Sequence, residues 1–188
     1  MKKKVLAFIL AVVCAVSAVP AAAVAEAPVR AEAAKKKTPS ISAVYSAVKN
    51  AYGDDYVPNV RLKKDEIKAR YGIEDSWYTS AIAEVPMISV HVDTLVIVKA
   101  KNAASKKKIK KALTDYRKSL IGSTSQYPMN QLKIQASKVY VKGSYVCFFM
   151  LGRLDAEQED QEESKVIAAY KKLNNKAVQA VRSLYQSK

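Results

Sequence analysis

A chain of 188 residues with one histidine, two cysteines and five glycines leaves little room for several kinds of chemistry. No His/Cys cluster has zinc-ligand spacing, and no glycine run has the pattern of a Rossmann or P-loop nucleotide site. Against 17 Asp and Glu stand 32 Lys and Arg, a net charge of +15 that favours anionic partners.

The N-terminus opens on Met1-Lys2-Lys3-Lys4, a short positive segment, followed by the uncharged run Val5 to Val19. That run is too short to span a bilayer and matches the apolar region of a secretory signal peptide. Pro20 interrupts it, and Ala23-Val24-Ala25 supplies small residues at −3 and −1, so cleavage is expected before Glu26. The alternative is an uncleaved membrane anchor over the uncharged stretch Val5 to Ala25. Cys14 follows Ala11-Val12-Val13 and precedes more apolar residues, which is not a lipoprotein cleavage site. Loss of residues 1–25 removes Lys2, Lys3 and Lys4 and takes the charge from +15 to +12. It leaves Cys147 as the sole thiol, with no intramolecular disulfide to staple the fold.

Residues 26–39 read as a flexible basic tether, with two prolines and the run Lys35-Lys36-Lys37 but no apolar periodicity. A single globular domain is expected over 40–188. Ser40 is a plausible N-cap for a helix whose apolar positions are Ile41, Val44, Tyr45, Val48 and Tyr52, with Gly53 at its end. A turn-rich connector, Asp54 to Asn59, leads to a shorter helix from Lys63 to Tyr71. The period then changes. Trp77 to Val85 and Val92 to Lys101 read as strands, and Leu95-Val96-Ile97-Val98, apolar on both faces, marks a central one.

Asn102 or Ser105 caps a helix running to about Ile121, with Ile109, Ala112, Leu113, Tyr116 and Leu120 facing inward. A short helix is expected over Met129 to Ala136. Two β-rich runs, Lys138 to Lys142 and Tyr145 to Leu151, flank Gly143-Ser144 and read as a hairpin. The remainder is a long C-terminal helix, or two joined near Asn174-Asn175, with Val166, Tyr170, Leu173, Ala177, Val181 and Leu184 inward. Six acidic residues between Asp155 and Glu163 sit near its start, where they favour the positive end of the helix dipole. The expected fold is α+β: an antiparallel sheet of about four strands with helices on one face, two N-terminal helices and a long C-terminal one.

Several of these segments together carry a family resemblance. Tyr71-Gly72-Ile73 precedes a β-rich stretch, and Asp93-Thr94-Leu95-Val96-Ile97-Val98-Lys99-Ala100-Lys101 leads into a charged helix. Tyr127-Pro128 follows that helix, and Lys142-Gly143-Ser144-Tyr145-Val146 lies in the late hairpin. The region from Ser40 to Leu151 resembles the domain of unknown function 4358, found in exported proteins of Gram-positive bacteria. The resemblance implies a location outside the cytoplasm and a fold; it brings no catalytic residues. Many members resemble lipoproteins, a feature this chain's leader lacks.

Catalytic constellations are scarce. Cys147 lies in the apolar run Tyr145 to Leu151, which suits an inert core thiol, and His91 has no Gly-x-Ser-x-Gly partner motif. No cofactor is expected. The strongest functional signal is the helix carrying Lys106, Lys107, Lys108, Lys110, Lys111, Arg117 and Lys118, with Asp115 as its single acid. A repeat of about 100° per residue turns most of these away from the Ile109/Leu113/Tyr116 stripe. They form a candidate anion-binding face. The reading is an exported, non-enzymatic domain, secreted or held at the cell surface, that associates electrostatically with an anionic envelope polymer or anionic lipid surface. The alternatives are a small extracytoplasmic hydrolase using unidentified carboxylates, or a protein-interaction module with a protein partner. Export and the lack of a binding motif argue against nucleic acid as the natural partner.

Overall fold

The structure is a computed structural model that describes residues 38–186. The expected signal peptide and residues 26–37 of the expected tether lie outside the described residues. The fold is α+β, as the sequence implies, with a five-stranded antiparallel sheet and a long C-terminal helix.

Helix α1 (Ile41–Tyr52) begins where Ser40 accepts a hydrogen bond from the Ala43 amide at 3.1 Å. A two-residue strand, β1 (Val60–Arg61), precedes α2 (Lys64–Tyr71), which ends at Gly72 in the left-handed conformation. Strands β2 (Tyr78–Val85) and β3 (Thr94–Ala100) form an antiparallel pair, and α3 (Ala103–Ile121) crosses back over the sheet. The short α4 (Pro128–Ala136) leads into the hairpin β4 (Lys138–Lys142) and β5 (Tyr145–Met150). The chain closes with α5 (Ala156–Glu159) and α6 (Glu163–Ser183).

The strand order is β1-β2-β3-β5-β4, with every neighbouring pair antiparallel. At the hairpin turn, Gly143 takes a φ of +56°, a conformation that costs glycine little. β3 and β5 are central and wholly or almost wholly buried. Val96, Val98, Val146, Phe148 and Met150 pack on the side of α2, α3 and α4. Leu95, Ile97, Tyr145, Cys147 and Phe149 pack on the side of α1 and α6. Helices thus cover both faces of the sheet rather than one. The cause is visible in Leu95-Val96-Ile97-Val98: a run apolar on both faces needs two covers.

The strand beyond the expected four, β1, is held by a side chain more than by its own length. Glu84 on β2, itself buried, accepts from the Arg61 guanidinium at 2.7 Å and from the Tyr56 and Tyr45 hydroxyls at 2.7 and 3.1 Å. The Arg61 guanidinium also lies 4.6 Å from the Tyr45 ring centre. One carboxylate thereby ties β1, β2 and α1 together.

Helix α6 runs unbroken through Asn174-Asn175. The Asn174 side chain is fully buried, donates to the Ala136 and Tyr170 carbonyls and accepts from the Leu151 amide at 3.0 Å. With donors and acceptor all satisfied, a residue that ordinarily favours turns becomes a rivet between α6, α4 and the end of β5.

Candidate functional site

Helix α3 starts at Asn102, whose side-chain oxygen accepts from the Ser105 amide at 2.8 Å. Ile109 and Leu113 are fully buried beneath it, with Tyr116 and Leu120 packed alongside. This stripe fixes the helix's rotation and divides its cations into three groups.

Lys107, Lys110, Lys111 and Lys118 are exposed along the outer side; Lys111 pairs with Asp115 one turn on. Lys106 and Arg117 lean to one flank and are occupied there. Lys106 donates to the Gly143 carbonyl at 3.0 Å. Arg117 donates to the Ser137 carbonyl at 2.8 Å and to the Gln135 carbonyl at 2.7 Å, satisfying the C-terminal end of α4. On the opposite flank Lys108 lies 5.4 Å from the Trp77 ring centre. Of the seven candidate anion-binding residues, four face water as a row, two hold neighbouring backbone, and one turns toward an aromatic groove whose rim Lys111 of the row also reaches.

That groove runs between α3 and the segment from the end of α2 to the turn Asp75–Trp77. It is a cavity of about 540 Å³ with a mostly apolar wall of Tyr71, Trp77, Ala112 and Tyr116. Arg70, Lys108 and Lys111 stand on its rim against the one acid Asp115. Tyr71 and Tyr116 meet edge to face, 4.8 Å apart at 87°. The Tyr71 hydroxyl is buried without a hydrogen-bond partner, and burial pushes its pKa up.

A second polar constellation lies where α4 meets the start of β3. Lys133 on α4 is buried and donates to Asp93 at 2.6 Å and to the Gly152 carbonyl at 2.7 Å; the Tyr170 ring centre lies 5.4 Å from its ammonium. Burial raises the Asp93 pKa, against the pull of Lys133, and lowers that of Lys133, against the pull of Asp93. Two cavities of about 360 and 440 Å³ flank Asp93 and His91. Met87, Ile88 and Val90 in the β2–β3 connection, Ile121 at the end of α3, and Tyr127 and Met129 at the start of α4 are exposed apolar side chains.

Cys147 is wholly buried against the α1 and α6 side, and burial pushes its thiol pKa well up. His91 is exposed in the β2–β3 connection. Among the described residues no group of three or more His, Cys, Asp or Glu side chains converges as a metal site, and no helix is long and apolar enough to cross a membrane.

The basic helix was legible in sequence. The groove and the Asp93–Lys133 pair were not, because each joins residues far apart in the chain. One signal pointed to the latter: Lys133 sits between Leu132 and Ile134 in a helix whose inner side is buried.

A family model described as a domain of unknown function (DUF4358) matches residues 51–151, more than half of the chain. The protein belongs to this family. The match spans α2, α3, α4 and all five strands, so the basic row and the groove lie within it, whereas α6 lies beyond it. No curated protein and no solved structure matches the chain.

Proposed function

We propose that this family member is an exported, non-enzymatic binding domain that associates electrostatically with the anionic cell envelope, through polymer or lipid headgroups. The observation that carries this reading is the outward row of Lys107, Lys110, Lys111 and Lys118, four cations facing water with Asp115 as the one acid of the helix. Lysine ammoniums on flexible stems suit diffuse attraction to repeated negative charges; a fixed two-point geometry would call for Arg. The leader and its Ala23-Val24-Ala25 site support export, and the +12 charge of the processed chain adds to the attraction.

Such attraction reaches about 8 Å at physiological salt. Retention on poly(glycerol phosphate) or on anionic vesicles should be clear at low ionic strength and fade toward about half-molar salt. Replacing Lys107, Lys110, Lys111 and Lys118 together by Gln should weaken it strongly. Equal retention of both proteins would reduce the row to a solvated face. Intact-mass analysis of secreted protein should show Glu26 as the first residue; full-length chain found only in membranes would favour an anchor.

A further inference from the structure

The groove beside α3 has a composition that diffuse attraction does not call for. Its wall is aromatic, its rim is cationic, and its polar groups of other kinds are few: the Asp115 carboxylate, paired with Lys111, and the Ser119 hydroxyl, which donates to the Tyr116 carbonyl. We propose that this groove binds a single acidic sugar unit, a pyranose ring bearing a phosphate or carboxylate, with the anion at Arg70 and Lys108 and the ring's C–H face against the aromatic wall at Trp77 and Tyr116. The proposal rests on the reading of α3 as an anion-binding helix and adds a seat with defined chemistry to it.

Each part of the groove matches one part of such a ligand. A pyranose has an apolar C–H face and an edge of hydroxyls. The aromatic wall takes the first, and the Asp115 carboxylate and the Ser119 hydroxyl oxygen offer acceptors for the second. Three cations against one carboxylate leave a positive rim, which selects a charged sugar over a neutral one. A fatty chain would leave the cationic rim, Asp115 and Ser119 without use. A nucleobase competes for the same aromatic wall, and the AMP arm of the titration separates the two. The cavity, at about 540 Å³, is within the usual size range of small-ligand sites.

Trp77 is the chain's only tryptophan, so its fluorescence reports on this groove directly. The full chain is titrated with N-acetylglucosamine 1-phosphate and with digalacturonate, and in parallel with uncharged N-acetylglucosamine, inorganic phosphate and AMP. At least one acidic sugar should give a saturable change, with the neutral sugar, phosphate and AMP about tenfold weaker or more. No saturable change with either acidic sugar, or equal response to the neutral sugar or AMP, overturns the proposal. Two variants separate it from the reading it rests on. Lys107→Gln/Lys110→Gln/Lys118→Gln should lose retention on anionic polymer and keep the Trp77 response. Arg70→Gln should lose the response about tenfold and keep most of the retention. Unchanged affinity in Arg70→Gln would assign the response to sugar bound elsewhere and overturn the groove.

Discussion

Helices α3 and α4 use lysine in opposite ways. On α3 the outer lysines stand in water, where charge costs nothing to keep and neighbours contribute little. On α4 the Lys133 ammonium is buried with Asp93, held by one carboxylate, one carbonyl and the face of Tyr170. The Asp93 and Lys133 pKa values move in the directions that oppose charge, because burial outweighs the attraction between them. The same residue type is therefore a surface property on one helix and a structural commitment on the next.

The largest expected effect breaks that commitment. Lys133→Met leaves Asp93 buried and unpaired, which should cost about 3–5 kcal/mol at neutral pH by denaturant unfolding. The loss should shrink on acidification. The folded state holds the Asp93 proton above the ordinary carboxylate range, so it binds more protons than the unfolded chain. Stability then falls as pH rises from that ordinary range through the raised value. Adding Asp93→Asn to Lys133→Met should restore part of the loss; an additive double variant would mean that the two groups act independently.

An apolar yardstick comes next. Ile97 is fully buried on β3, and Ile97→Ala should cost about 2–5 kcal/mol without the pH dependence of the Lys133 variant. A loss under about 1 kcal/mol would remove β3 from the centre of the core. Arg117 is intermediate in burial, and Arg117→Gln gives up charge-assisted bonds to Ser137 and Gln135, an effect of about 1.5–3 kcal/mol. The smallest change is expected from Lys107→Gln/Lys110→Gln/Lys118→Gln, whose melting temperature should match the parent while its polymer retention drops. A graded series from Lys133 through Arg117 to these three would confirm burial as the variable; a flat one would refute it.

Periodicity explains what could be read in advance. Four consecutive apolar residues identified β3, and the Ile109/Leu113/Tyr116 spacing set the rotation of α3, because both signals are local. The pairing of Lys133 with Asp93 spans forty residues and leaves no periodic trace. The same holds for Trp77 meeting Lys108 and for Glu84 gathering Tyr45, Tyr56 and Arg61. Asn174-Asn175 leaves two readings open in sequence, one long C-terminal helix or two joined there. The partners of Asn174 on α4 and at the end of β5 decide for one, since a satisfied buried amide no longer competes with the helix.

The Tyr145 hydroxyl donates to the Pro39 carbonyl, and the Tyr185 hydroxyl donates to the Lys142 carbonyl. Both ends of the described chain are thus fastened beside the same β4–β5 turn. Joining them by a short Gly/Ser bridge would close the backbone into a ring with little loop-closure cost. New ends can then be opened at the exposed Thr124-Ser125 bend between α3 and α4, where no strand or helix is cut. The described domain is in this sense a circle whose opening lies beside the hairpin, and its order of elements along the gene is a separate matter from its order in space.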